Sequence, residues 1–130
     1  MGGGRRLIVD AMNVIGSRPD RWWNDPARAM REFAVVTDSY AARTGDRITV
    51  VFDKDPGFLP PMSIIDVLIA RRKGRNAADY EIQQIVAALE DPENVTVITS
   101  DKRLAEKITS LGAKVQGSGK FRTELDEKRT

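Results

Sequence analysis

Three apolar runs of this sequence end in an acidic residue, namely Asp10, Asp53 and Asp101. Asp79 is a fourth candidate, because it falls in the first turn of a predicted helix. If the apolar runs are parallel strands, their carboxyl ends lie along one edge of a sheet. We therefore expect Asp10, Asp79 and Asp101 to converge, although they are far apart in the sequence.

A cluster of carboxylates needs a partner, because like charges held close together repel one another and raise one another's pKa. A divalent cation neutralises such a cluster. Mg²⁺ suits it best, since this ion binds through a few carboxylates and keeps several waters. The usual chemistry of that arrangement is phosphoryl transfer or phosphodiester hydrolysis.

Each aspartate also has a purely structural interpretation. Asp101 is a good helix N-cap, and Asp79 can complement the positive end of a helix dipole. Asp53 can serve as a turn residue before the following Pro-Gly pair. Asp10 is harder to explain in this way, because no obvious helix follows it.

The composition narrows the chemistry further. The chain has 130 residues, of which 41% are hydrophobic and 31% are charged, which is typical of one globular domain. Cysteine and histidine are both absent, which excludes thiolate nucleophiles, histidine bases and nearly every stable transition-metal site. Catalysis must therefore use carboxylates, hydroxyls, Lys, Arg or a hard metal ion.

The elements that would position these residues alternate between strands and helices. The predicted strands are 7–9, 48–52, 64–70, 95–98 and 113–116, and the predicted helices are 26–44, 76–90 and 102–111. Residues 11–24 are predicted as a loop, and 117–130 as a polar tail anchored by Phe121 and Leu125. Continuously apolar strands alternating with helices favour an α/β fold whose parallel sheet is covered on both faces. We expect one domain over 1–130, with flexible ends at 1–5 and 126–130.

Basic residues cluster near the predicted acidic site, although the net charge is only +2. The densest run lies before the helix that carries Asp79, and two more basic residues follow the last strand: Arg71, Arg72, Lys73, Arg75, Lys120 and Arg122. Taken alone, such a run is best explained as a solvated loop. Beside acidic residues it favours contact with an RNA backbone, which needs neutralisation along the strand.

Trp22 and Trp23 lie in the loop that leaves the end of the first strand. Exposed there, they would overhang the site and stack on unpaired bases. The alternative is that one or both cover the edge of the core. We expect the two residues to divide these roles.

Three segments resemble known nuclease motifs. Residues 7–19, LIVDAMNVIGSRP, resemble the opening of NYN-domain proteins, especially the YacP-like group. The segment NAADYEI at 76–82 resembles the middle acidic motif of PIN-like nucleases. Residues 99–101 with GSGKFRTEL at 117–125 resemble the third motif and tail of the same group. The resemblance spans nearly the whole chain and keeps the order of the motifs.

The resemblance implies a PIN-like three-layer α/β/α fold with a mostly parallel sheet of about five strands, and metal-dependent endoribonuclease activity. By motif position, Asp10, Asp79 and Asp101 are implied metal ligands, and Asp53 is a further one. Asn13 is implied to shape the site, with an amide that can hold a water or a phosphate.

One position departs from the family pattern. The middle motif often has a second acidic residue directly after the first, and here Tyr80 stands at that place. Glu81 is the candidate to replace it.

We therefore interpret the protein as a cytoplasmic endoribonuclease that uses Mg²⁺ or Mn²⁺ on single-stranded or exposed RNA, with no membrane segment. Two alternatives stay open: a catalytically weak RNA-binding module of the same fold, and a small-molecule phosphatase built on Asp53 and Asp55. The sequence also leaves open that a ribosome or another assembly presents the RNA, and that the protein forms a homodimer.

Overall fold

The apolar runs of the sequence form the strands of one sheet. A computed structural model describes residues 4–127, with strands β1 (Arg6–Asp10), β2 (Arg47–Phe52), β3 (Asp66–Ile69), β4 (Val95–Ile98) and β5 (Lys114–Gln116). Across the sheet the order is β3-β2-β1-β4-β5, and all pairings between these strands are parallel. The α/β class predicted from the sequence is confirmed.

Helices follow the strands, and the sequence provides a cap at both ends of the longest one. They are α1 (Ala11–Ile15), α2 (Pro26–Thr44), α3 (Ala77–Ala87), α4 (Lys102–Ser110) and α5 (Ser118–Glu127). At the start of α2 the Asp25 side chain accepts a hydrogen bond from the backbone N–H of Arg28 at 3.2 Å, with Pro26 in the first turn. The helix ends at Gly45, whose φ of 79° is the left-handed conformation that glycine adopts freely.

The core has two halves, one on each face of the sheet, because successive strand residues point to opposite sides. Leu7 and Val9 pack in a cluster with buried residues of α1, α2 and α5, while Ile8 packs with residues of α3 and α4. The fold therefore has the three layers that the resemblance implied. No helix within residues 4–127 is both long and apolar enough to cross a membrane.

The strand order reverses direction at β1. The chain moves outward from β1 to β2 and β3, then returns through α3 to place β4 on the other side of β1. Open α/β sheets bind their ligands in the crevice beyond the carboxyl ends of the strands at such a point. Asp10 is the last residue of β1 and therefore lies at this position.

Three local predictions were wrong. Residues 11–24 are not one loop, because α1 begins directly after β1 and a 3₁₀ turn spans Trp22–Asn24. A helix of five residues is too short to show a 3.6-residue period in sequence. The tail forms α5, where Phe121 and Leu125 are buried as predicted. The third strand is shorter than 64–70, since it lies at the edge of the sheet and pairs on one side only.

The two ends of the chain were predicted to be flexible, and residues 1–3 and 128–130 lie outside the described part. Within it, Arg5 donates from its backbone N–H to Oδ1 of Asp46 at 2.8 Å and from its guanidinium to the Tyr40 hydroxyl at 2.9 Å. Near the other end, Asp126 belongs to α5 and forms an ion pair with Arg18.

Candidate active site

Asp10 is a buried carboxylate at the end of the central strand, with only 5% of its surface exposed. Its Oδ2 accepts a hydrogen bond from the hydroxyl of Thr99 at 2.9 Å. The Thr99 oxygen in turn accepts one from the backbone N–H of Asp101 at 3.2 Å. Thr99 therefore links the carboxylate of β1 to the residue that begins α4. The sequence offered only a weak signal for this role, namely a hydroxyl residue between a buried strand and a helix cap.

The pKa of Asp10 is affected by the other three aspartates that were predicted from the sequence. This pKa is raised from 3.8 to about 7, mainly by burial; the hydrogen bond from Thr99 lowers it in part, and the nearby carboxylates of Asp79, Asp101 and Asp53 add to the rise. Asp53, Asp79 and Asp101 thus all lie within electrostatic reach of Asp10.

Asp79 and Asp101 line a cleft of about 400 Å³ between α3 and α4. Asp79 lies in the first turn of α3, and its pKa is raised by burial and then by the charge of Asp101. Asp101 is the N-cap of α4, because its Oδ1 accepts from the backbone N–H of Leu104 at 3.0 Å. The structural role weighed for Asp101 is therefore real, and it uses only one of the two carboxylate oxygens.

Asp53 follows β2, and its Oδ1 is buried without a hydrogen-bond partner in the described chain. It is not the turn residue that the sequence suggested. That role belongs to Asp55, whose Oδ1 accepts from the backbone N–H of Gly57 at 2.8 Å. A buried oxygen without a partner is costly, so Asp53 has an acceptor to offer a ligand.

The carboxylates of the four aspartates can be compared with the ligands that a metal ion requires. Their oxygens are of the kind that hard cations prefer. The raised pKa of Asp10 and the unpartnered oxygen of Asp53 are features that a cation would relieve. Within residues 4–127, however, no three acidic side chains are placed to hold one ion together. One or two of these carboxylates could still bind an ion such as Mg²⁺ directly, because this ion keeps waters at its other coordination positions.

Asn13 joins three elements at this edge of the sheet. Its Oδ1 accepts from the backbone N–H of Ser100 at 2.8 Å and from the hydroxyl of Ser118 at 2.5 Å. The backbone N–H of Ser118 also donates to the hydroxyl oxygen of Ser100 at 2.8 Å. The amide oxygen of Asn13 is therefore used inside the protein, which leaves its NH₂ group for the ligand role that the resemblance implied. Ser118 was not predicted as a site residue.

Four basic residues line the same cleft as Asp79 and Asp101. Two come from the predicted basic run and two from α4: Arg72, Lys73, Arg103 and Lys107. Lys107 was not identified from the sequence, although it follows Arg103 by four residues and therefore shares its helix face. The cleft combines acidic groups with cationic walls, which suits a phosphodiester.

The remaining basic residues lie elsewhere or are engaged. Arg71 donates from its guanidinium to Glu81 at 3.3 Å and from its backbone N–H to the same carboxylate at 3.4 Å. Glu81 is buried and does not line the cleft, whereas Tyr80 does. Arg75 and Lys120 are exposed and are not among the residues that line the cleft. Arg122 is mostly buried and lies 3.6 Å from Asp20.

The two tryptophans differ in their environment. Trp22 is partly buried, packs against the core and lines a second depression beside Phe33 and Leu125. Trp23 is 55% exposed and meets Trp22 edge to face, with ring centroids 6.2 Å apart. Neither ring lines the acidic cleft in the described structure.

The fold and the acidic cleft define an α/β domain of the PIN-like type. The sequence model of the family described as the YacP-like NYN domain matches residues 7–130, and the chain belongs to this family. The family is one of RNase-type nucleases.

Solved structures show the same fold. Rae1 (YacP) from Bacillus subtilis superposes with a TM-score of 0.75 at 25% sequence identity, over 93% of this chain and 73% of that one. A tryptophan-to-leucine mutant of the same protein gives a TM-score of 0.74 at 26% identity, over 95% of this chain and 76% of that one. No curated protein matches the sequence significantly.

Proposed function

We propose that this protein is a metal-dependent endoribonuclease that hydrolyses phosphodiester bonds in single-stranded or otherwise exposed RNA. The observation that carries the proposal is the buried carboxylate of Asp10 at the switch point of the sheet, whose pKa is raised mainly by burial and also by the charges of Asp79, Asp101 and Asp53. A protein keeps such a cluster at a cost in stability, and binding of a cation offsets that cost.

The proposal gives each residue a task. Asp79 and Asp101 line the cleft, and both, like Asp53, act on the pKa of Asp10. One or two of these four carboxylates would bind Mg²⁺ or Mn²⁺ directly, and the others would act through waters of the ion. When bound, the ion lowers the pKa of an attacking water and stabilises charge on the leaving oxygen, as the family resemblance implies for products with a 5′-phosphate and a 3′-hydroxyl.

The other residues of the cleft bind and orient the strand. Arg72 and Lys73 on one side, with Arg103 and Lys107 on the other, can bind the phosphates that flank the scissile bond. Asn13 keeps the loop before α4 in place, and with it the carboxylate of Asp101.

A second candidate is a catalytically weak RNA-binding domain. It is favoured by Tyr80 at the position of a second acidic residue and by the engagement of Glu81 with Arg71. The phosphatase alternative has less support, because Asp55 is exposed and engaged in its own turn while Asp53 is the residue near the site.

One experiment distinguishes the nuclease, the RNA-binding domain and the phosphatase. RNA labelled at either end is incubated with the wild type or with Asp10→Asn, with and without Mn²⁺, and Asp55→Asn serves as a matched acidic control. We expect the wild type and Asp55→Asn to cut only with metal, and Asp10→Asn not to cut. Binding without cutting by every variant would instead identify a binding domain. Hydrolysis of a small phosphate ester that is lost in Asp55→Asn would identify a phosphatase.

A further inference from the structure

Tyr80 occupies the wall of the acidic cleft with its ring partly exposed. It directly follows Asp79 on α3, lines the same cleft and is 37% exposed. The guanidinium carbon of Arg72 lies 3.8 Å from the centroid of the Tyr80 ring. The residue that breaks the acidic motif of the family is therefore stacked against one of the cationic residues of the cleft.

A flat guanidinium on an aromatic ring can exchange with another flat group. Nucleobases stack on both tyrosine rings and arginine planes, and unpaired bases do so most readily. The same guanidinium is also a phosphate ligand. If Arg72 turns to a phosphate of the bound strand, it leaves the ring of Tyr80 to a base.

Two amide side chains line the same cleft as the ring. Asn76 is the N-cap of α3, and Gln83 follows Tyr80 by three residues, which places it on the same face of the helix. An amide side chain both donates and accepts hydrogen bonds, as the edge of a base requires. The surroundings of the ring are therefore polar in the way that a base site needs.

We propose that the ring of Tyr80 binds one unpaired nucleobase of the RNA strand, next to the phosphate that lies at Asp79 and Asp101, when Arg72 turns from the ring to a phosphate. The inference rests on the proposed function, because it takes the cationic cleft to be where RNA binds. The occupant is a base attached to a phosphate chain, since Lys73, Arg103 and Lys107 line the walls around the ring. A free mononucleotide carries the same chemistry, and the experiment below separates it from a strand.

The test measures binding without cleavage. The full chain in metal-free buffer with EDTA is titrated into a fluorescein-labelled single-stranded RNA octamer, and into an octamer with the same sugar-phosphate backbone but no bases. Fluorescence anisotropy gives the two Kd values. Their ratio isolates the contribution of the bases, because the charge of the two strands is equal.

The variants are Tyr80→Leu and Tyr80→Phe, with Phe58→Leu as the matched control. Phe58 suits this purpose because it is 80% exposed on the loop 53–65, outside the cleft.

We expect the wild type to prefer the strand with bases by about 5-fold to about 100-fold. Tyr80→Leu should lose most of that preference with little change in affinity for the abasic strand, whereas Tyr80→Phe and Phe58→Leu should keep it. An unchanged ratio in Tyr80→Leu overturns the proposal, and so does an equal loss in Phe58→Leu. Binding of AMP that depends on Tyr80 and matches the octamer in affinity would assign the site to a free nucleotide and overturn the assignment to RNA.

The outcome is independent of catalysis. If the wild type cuts no RNA with metal, the nuclease proposal fails, while the ratio of the two Kd values still decides whether Tyr80 binds a base. If the wild type cuts RNA and Tyr80→Leu shows an unchanged ratio, only the base site is refuted.

Discussion

The amide oxygen of Asn13 accepts a 2.5 Å hydrogen bond from the hydroxyl of Ser118, a residue 105 positions later in the chain. Through the same oxygen Asn13 also binds the backbone N–H of Ser100, directly before Asp101. One side chain of α1 thus sets the distance between α5 and the loop that presents a cleft carboxylate. Ser118 is fully buried, so this contact is shielded from water.

Removal of the Asn13 amide should therefore weaken the site and the fold together. Asn13→Ala leaves the hydroxyl of Ser118 and the N–H of Ser100 without their acceptor, which we expect to cost about 2 kcal/mol in the free energy of unfolding. Urea unfolding of Asn13→Ala, Ser118→Ala and the double variant measures this. The two single effects should not add, because both remove the same hydrogen bond. Additive effects would contradict the contact.

Asp10 should make the stability of the metal-free protein fall as the pH rises. Its pKa is raised from 3.8 to about 7, so the folded state binds this proton more tightly than the unfolded chain does. The free energy of unfolding should fall by about 3 kcal/mol between about pH 5 and about pH 8, and level off above the folded-state pKa. The raised pKa of Asp79 acts in the same direction.

Comparison of the wild type with Asp10→Asn in EDTA isolates this effect. The free energy of unfolding of Asp10→Asn should fall much less with pH, so that this variant is more stable than the wild type at about pH 8. Adding Mg²⁺ at that pH should raise the Tm of the wild type and leave that of Asp10→Asn nearly unchanged. Parallel pH curves for the two proteins would show that Asp10 is not the titrating group.

Asp79→Asn and Asp101→Asn should each lower kcat for RNA by about 100-fold or more, because each removes a charge from the proposed ion site. Both should keep the fold. Asparagine caps a helix as well as aspartate does, so α4 retains its cap in Asp101→Asn. Gel assays of labelled RNA give the rates, and circular dichroism confirms folding. Near-normal cleavage by either variant would remove that residue from the site.

The basic residues that line the cleft should contribute to RNA affinity more than the others in their run. Arg72→Ala and Lys73→Ala should each reduce the slope of log K against log salt by about 0.7, as expected for one phosphate contact with a single strand. Arg71→Ala should change the slope less, because its guanidinium is held by Glu81. Arg43→Ala, an exposed change at the end of α2, serves as the control. Equal slopes for all four variants would place the RNA elsewhere.

Substitution of the two tryptophans should affect the stability of the protein to different extents, rather than its RNA binding. Trp22→Ala should cost about 2 kcal/mol in the free energy of unfolding, since this ring packs against the core. Trp23→Ala should change it by less than about 0.5 kcal/mol, because that ring is largely exposed. Urea unfolding measures both. A large loss in Trp23→Ala alone would reverse these roles.

The sequence predicted the class of fold because its central strands are buried on both faces and read as continuous apolar runs. It placed Asp10, Asp53 and Asp101 at one edge for the same reason, since parallel strands share the direction of their ends. Helix α1 was not predicted because a segment of five residues is too short to show helical periodicity. Helix α5 was not predicted because it has only two buried apolar residues among many polar ones.

The partners of individual side chains also could not be predicted from the sequence. Arg71 and Arg72 are adjacent and chemically alike, yet one binds Glu81 and the other stacks on Tyr80. The choice depends on where the loop before α3 meets that helix, which only the assembled fold decides. Thr99 and Ser118 were overlooked for the same reason, because their partners lie 89 and 105 positions away.

The central place of β1 has a consequence for how the protein is made. A ribosome synthesises Asp10 before β2, β3 and α3, whereas β4, which flanks β1, follows only after α3, and Ser118 follows later still. A growing chain that has reached α3 already carries three of the four clustered aspartates and lacks Thr99, Asp101 and the partners of Asn13. The cleft therefore cannot form before Lys107 has been synthesised, and Ser118 supports it only later, so a shorter nascent chain lacks the arrangement that the proposed cleavage of RNA requires.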